Sequence, residues 1–163
     1  MNSAQGGKAN EANDWLSQMD GSGLLKPNAW IVDVDGTLAL NTHRNPYAWR
    51  EAGDDVPNLA VVTASQALAA HPSVAAIIVI SGREERARDI TAHWLESEGV
   101  PFDLLLMRPN GDFRSDETVK EELFRRHVEP SYFVLGVMDD RDRVVRMWRR
   151  LGLVCFQVAE GSF

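Results

Sequence analysis

An internal disulfide is excluded at once, because the 163-residue chain carries a single cysteine. Cys155 lies in the apolar run LVCFQV and reads as a small buried hydrophobe in a reducing compartment. No apolar stretch approaches the ~18 residues needed to cross a bilayer. The amino-terminal MNSAQGGKANEANDW has no apolar core of the kind export signals carry. These absences point to a cytoplasmic protein with no membrane partner. Basic residues are also in the minority, 17 against 24 acidic ones, for a formal net charge of −7. That excludes a broad basic face for coating nucleic acid, while leaving room for a local pocket that grips one phosphate or one strand end. The four histidines, His43, His71, His93 and His127, show no metal-ligand spacing.

What is present suits one soluble domain. Hydrophobic residues reach 44%, enough for a sizeable core at this length. Residues 1–28 are rich in Asn, Ser, Gly, Gln and Ala and read as a flexible tail, with a short helical turn around 15–19. From residue 29 to 163 strands and helices alternate. Strands are expected at 30–35 (WIVDVD), 76–80 (AIIVI), 102–107, 132–138 and 153–158. Helices are expected at 59–70, 83–98, 116–128 and 143–151; Pro72, Gly99 and Gly152 stop three of them. Such alternation builds an α/β fold, a Rossmann-like parallel sheet with helices on both faces. Ligands in these sheets bind beyond the carboxyl ends of the strands.

Polar residues gather at those ends. Strand one closes in Asp33-Val34-Asp35-Gly36-Thr37, and strand two in Ser81-Gly82-Arg83. Lys120 follows strand three, and strand four closes in Asp139-Asp140. Two carboxylates two residues apart on a strand share a face, so Asp33 and Asp35 are expected side by side. At ~4 Å and an effective dielectric near 20, each like-charge pair costs about 4 kcal/mol. Several such pairs need a cation, and oxygen ligands favour a hard divalent ion such as Mg²⁺. In a phosphate-transfer reading, Asp33 is the nucleophile, and Lys120 and Mg²⁺ neutralise the phosphoryl oxygens. Ser81 and Thr37 donate hydrogen bonds to them. Asp35 is the general acid and then the general base, a role that calls for a raised proton affinity from burial and nearby anions.

The ordered set Asp-x-Asp-Gly-Thr, Ser, Lys and paired acids resembles the haloacid dehalogenase superfamily of phosphotransferases. The resemblance implies a small cap or flap on the sheet. It also implies a metal held by Asp33, the backbone carbonyl of Asp35 and an acid of the Asp139–Asp140 pair. A narrower similarity, to the 3′-phosphatase domain of phage polynucleotide kinase–phosphatase, runs from Trp30 to Phe163. It rests on VDVDGTL, Arg44 followed by NPY, ISGRE, the stretch from Gly111 to Glu122, MDDRDRVVRMWRRLG and CFQVAEGSF. It implies removal of 3′-phosphate from DNA or RNA ends, and adds Arg44, Gly82, Arg83 and Asp116 on the substrate side and Asp140 to the catalytic group. The phosphate-binding loop G-x-x-x-x-G-K-[ST] of the kinase half has no match, so 5′-kinase activity is not expected; a separate kinase or ligase partner would supply such steps.

Blander readings exist for each feature. Asp33 and Asp35 do not fit a calcium loop, since Gly36 follows at once. Asp139 and Asp140 would serve equally as helix caps, though Asp142 suits that better. Arg108 and Arg114 either track a nucleic-acid backbone or lie solvated. Arg143, Arg146, Arg149 and Arg150 read as a solvated face, and Trp30, Trp94 and Trp148 as core. Trp49 is the candidate for stacking on a base. Two rival functions remain open here: a small-molecule phosphatase such as a nucleotidase, and a metal-stabilised binding module without catalysis.

Overall fold

The computed structural model describes residues 18–40 and 49–161. Arg44, His43 and residues 1–17 lie outside that range, as does the side chain of Trp49. Among the described residues the strands are β1 (Asn28–Val32), β2 (Ala39–Leu40), β3 (Val56–Pro57), β4 (Ala76–Glu84), β5 (Leu104–Arg108), β6 (Phe133–Arg141) and β7 (Cys155–Gly161). The α-helices are α1 (Leu59–Ala69), α2 (Arg88–Ser97), α3 (Asp116–Leu123) and α4 (Asp142–Arg150). Five strands form one parallel sheet in the order β5-β4-β1-β6-β7. The strand order turns back at β1, which pairs with β4 on one side and β6 on the other. That turning point is where a doubly wound sheet opens a crevice at its carboxyl edge.

The apolar run 76–80 shows why the sheet is covered twice. Its side chains alternate in direction, and both directions are apolar. Ile77 and Val79 pack with Val61, Val62, Trp94 and Leu95 under α1 and α2. Ile78 and Ile80 pack with Phe124, Val144, Val145 and Trp148 under α3 and α4. Each cluster removes large side chains from water, at roughly 25 cal/mol per Å² of apolar surface.

The expected elements are present with shifted ends. The β1 ladder stops at Val32, because Gly36 (φ +87°) turns the chain and Gly36 N–H donates back to the Ala39 carbonyl at 2.8 Å. A residue with a Cβ is strained at such a φ. β4 and β6 run on through Ser81-Gly82-Arg83 and Asp139-Asp140, so those polar residues are strand residues. A 3₁₀ turn, Glu85–Ala87, precedes α2, and a π-helical turn, Phe124–Val128, extends α3. Between β1 and α1, β2 pairs antiparallel with β3, and a 3₁₀ helix, Trp49–Asp54, lies in the same insert. Residues 18–26 also form a turn: Asp20 accepts the N–H groups of Ser22 (2.8 Å) and Leu24 (3.0 Å), and Lys26 Nζ donates to the Glu129 carbonyl (2.9 Å). No helix among the described residues is long and apolar enough to cross a membrane.

Cys155 opens β7 and is buried, as its apolar surroundings in the sequence suggest. Burial, reinforced by the Asp139 carboxylate, pushes its thiol up to about 12. At pH 8 the thiolate fraction is then on the order of 10⁻⁴, and the thiolate is the reactive form. A thiol-specific reagent at pH 8 should therefore label the folded protein at least ~100-fold more slowly than the urea-unfolded chain, read by absorbance or mass. Equal rates would show Cys155 to be open to solvent.

Candidate active site

Lys120 is the hub. It lies one helical turn after Asp116 on α3, and its ammonium is almost wholly buried. Nζ donates to Asp33 Oδ1 at 2.7 Å and to Asp139 Oδ2 at 3.0 Å, with Asp116 Oδ2 3.5 Å away. Asp33 follows the last residue of β1, and its own N–H is still held by the Met138 carbonyl of β6 at 3.0 Å. Its second oxygen accepts from the Thr37 hydroxyl (3.2 Å), which also faces Asp140 Oδ1 at 3.3 Å. Asp139 is fixed further by Trp148 Nε1 (3.2 Å) and Arg141 N–H (3.2 Å). Carboxylate oxygens of Asp33, Asp139 and Asp140 all lie within 4.8 Å of one another, and all three residues are buried. Gly36 allows this approach: a Cβ there would collide with the Asp140 carboxylate.

The proton affinities follow from that crowding. Burial pushes the Asp33 carboxyl well above the ordinary carboxylate range. Asp139, Asp116 and Asp140 add like-charge repulsion, and Lys120 offsets only part of it. Burial and Asp139 raise Asp140 as well. At Lys120, burial works against the charged form, but Asp116, Asp139 and Asp33 together hold its pKa well above the usual lysine value. Asp116 moves the other way: its burial is outweighed by Lys120, Arg141 and Arg108, which hold it below the usual range. With all three clustered acids ionised, one ammonium leaves an excess of two negative charges. All-oxygen donors at this spacing, with that excess, suit a hard divalent cation.

Asp35 differs from expectation. The same-face reasoning required a strand through Asp35, and the ladder ends before it. Its carboxylate turns instead to Arg83, which donates Nε to Oδ2 at 2.9 Å and Nη2 to Oδ1 at 2.8 Å. Such a bidentate pair favours the ionised acid. Arg83 is itself buried, and it also donates to Asp55 (2.6 Å) and Thr91 (3.3 Å). Rather than facing open space as a phosphate clamp, it holds Asp35. Ser81 Oγ is buried and accepts Arg83 N–H at 3.2 Å. Gly82 sits tight against Asp116, where a Cβ would strike the Asp116 carboxylate.

Asp55 was not singled out in the sequence. It is a buried acid on the insert, its backbone carbonyl accepts Trp94 Nε1 (2.8 Å), and its carboxylate shares Arg83 with Asp35. Nothing local marks it, because Asp54 and Asp55 look alike until the insert folds over β4. Arg108 is also turned inward, donating to the Gly82 carbonyl (2.8 Å) and Asp116 (3.1 Å), so it is a strut rather than a free backbone contact. A depression lined by Thr118, Glu121, Glu122, Arg125 and Arg126 contains none of the clustered acids.

Residues 27–163 match the family model of the polynucleotide kinase PNKP phosphatase domain. The chain belongs to that family, a haloacid-dehalogenase-type phosphatase domain. A curated relative, "Putative bifunctional polynucleotide kinase/RNA ligase" of Autographa californica nuclear polyhedrosis virus, is 37% identical over 131 residues. Those residues are 77% of this chain but only 18% of the viral protein. A chain of the solved Pnkp1/Rnl/Hen1 complex matches with a TM-score of 0.81 and 41% identity, over 85% of this chain and 48% of that one. A second, from the Pnkp1/Rnl/Hen1 RNA repair complex, gives 0.82 and 40%, over 89% and 45%. This PNKP phosphatase domain therefore spans less than half of each of those relatives.

Removing the hub charge should expose its structural share. Lys120→Met leaves Asp33 and Asp139 buried without their cation, and loss of one partner of a buried ion pair costs about 3–5 kcal/mol. Urea unfolding near neutral pH should show a loss of that size, and an unchanged midpoint would place Lys120 outside the network.

Proposed function

We propose that the chain is a Mg²⁺-dependent polynucleotide 3′-phosphatase that works through an aspartyl-phosphate at Asp33. The observation that carries this reading is the buried Lys120 ammonium, which gathers Asp33, Asp139 and Asp116 at the carboxyl edge of a PNKP-type phosphatase sheet. An Asp33 oxygen attacks the phosphorus as the bond to the 3′-oxygen breaks. Asp35 gives that oxygen its proton, leaving a 3′-hydroxyl. Asp35 then takes a proton from water, which attacks the same phosphorus and returns Asp33 with release of inorganic phosphate. The Arg83 pair orients Asp35 for both transfers, and the proton it takes from water is the one it gives in the next turnover. A phosphate dianion arriving beside it raises its affinity for the proton the first step needs.

Lys120 supports charge on the phosphoryl oxygens. Ser81 has a hydroxyl proton left to donate, because in the bond to Arg83 its oxygen is the acceptor. Thr37 aligns Asp33 against Asp140. Arg44 joins the substrate side by resemblance alone, and Asp116 anchors Gly82 and Lys120 from behind. A bound Mg²⁺, held by Asp33, the Asp35 carbonyl and Asp139 or Asp140, would supply charge neutralisation and orientation of the phosphate. The kinase and ligase functions printed in the relatives' names would lie outside these residues, on other domains or chains.

Two outcomes test the reading. Offered a 3′-phosphorylated oligonucleotide, a 3′-mononucleotide and an aryl phosphate with Mg²⁺, the protein should favour the oligonucleotide in kcat/KM. Asp33→Asn should lose activity by on the order of 10⁴-fold or more, with a near-native fold. Turnover of the small esters alone would retain the chemistry and sink the polynucleotide assignment, leaving a small-molecule phosphatase. Separately, Mg²⁺ at about a hundredfold its Kd should raise Tm by roughly 5–10 °C, reversibly with chelator, because it relieves repulsion among the clustered acids. Asp139→Asn should blunt that rise. No shift in the native protein would mean the cluster does not bind the ion.

A further inference from the structure

Phe113 is the most exposed large hydrophobic residue among those described, at 92%. It sits in the connection between β5 and α3, at the carboxyl edge of the sheet. A loose loop tip would explain a bare phenyl, but both neighbours of Phe113 are tied down. Arg108 Nη1 donates to the Asp112 carbonyl at 3.1 Å and to the Arg114 carbonyl at 2.7 Å. Asp112 accepts the Arg114 N–H at 3.0 Å and its guanidinium at 2.6 Å, and Arg114 reaches Glu122 on α3 at 2.7 Å. The ring is thus displayed from a fastened backbone.

The fastening runs into the active site. The same Arg108 guanidinium donates Nε to the Gly82 carbonyl (2.8 Å) and Nη2 to Asp116 (3.1 Å), the acid beside Lys120. One side chain therefore sets the Phe113 loop against both the carboxyl end of β4 and the hub. Among the described residues, three arginines on this side are matched with carboxylates: Arg108 with Asp116, Arg114 with Asp112 and Glu122, and Arg83 with Asp35 and Asp55. Those three guanidiniums are thereby engaged within the protein and are not the groups that would hold a phosphodiester backbone. An uncovered aromatic face can hold a strand end without them, because every nucleobase has a π-face.

We infer that Phe113 is the stacking platform for a nucleobase close to the phosphorylated end of the substrate strand. This rests on the polynucleotide reading above and names the residue that distinguishes a strand end from a small phosphate ester. Stacking is tolerant of sequence, so the platform confers preference for a nucleic-acid end rather than for one base.

The test compares wild type with Phe113→Ala, Phe113→Leu and Phe113→Trp. Substrates are a 3′-phosphorylated oligonucleotide, in DNA and in RNA form, and an aryl phosphate. The ratio of kcat/KM for oligonucleotide over aryl phosphate should fall about 5- to 150-fold in F113A. The loss should lie mainly in KM, F113W should restore the ratio, and F113L should not. Oligonucleotides with one abasic site, walked back from the 3′ end, should contain a position whose loss in wild type is not added to by F113A. An unchanged ratio in F113A, or full rescue by F113L, overturns the inference while leaving the phosphatase reading intact. A wild-type protein with no preference for the oligonucleotide overturns this inference and the polynucleotide assignment together, and leaves the phosphatase chemistry standing.

Discussion

A lysine held charged in a water-excluded position is the constraint on which the rest depends. Burying an ammonium is costly unless paired, and Lys120 is paired on several sides by Asp33, Asp139 and Asp116. The converse holds for the acids, which repel one another and stay together only around a cation. Neither set is stable in that place without the other. The partners come from the end of β1, from β6 and from α3, so closing this cluster also docks the centre of the sheet against the helix that covers it.

The topology makes that convergence possible. β1 lies between β4 and β6, so the chain leaves the sheet in opposite directions on either side of it. The ends of all three strands frame one crevice. Glycines at two of them let polar groups come closer than a Cβ would allow, Gly36 under Asp140 and Gly82 under Asp116. Behind the acids, two arginines act as braces, Arg83 buried and Arg108 half-buried. Arg83 ties Asp35 to the insert through Asp55, and Arg108 ties Asp116 to the loop that carries Phe113. Orientation of this kind is what allows fixed dipoles and charges to act on a reacting group without reorganising.

The family match assigns this framework to the PNKP-type phosphatase domain. The hub needs Lys120, Asp33 and the paired acids whatever the substrate is. The insert reaches Asp35 through Arg83, and the Phe113 loop reaches Asp116, a partner of Lys120, through Arg108.

The apolar runs, their turn residues and the Asp-x-Asp-Gly-Thr motif were enough to specify an α/β chain with acids at its strand ends. These are local signals: side-chain alternation, a glycine that permits a left-handed turn, and acids that follow a buried strand. The element ends were less legible, since whether β1 continues through Asp35 is settled by Gly36 and its return hydrogen bond. The partners of Arg83, the importance of Asp55 and the exposure of Phe113 were not legible at all. Those are contacts across 28 to 48 residues, or the lack of a covering neighbour, and no periodicity encodes them. Sequence alone determined which groups were available at the edge of the sheet. Only the tertiary structure decided which of them face one another, because pairing of buried charges is selected by packing after the chain has closed on itself.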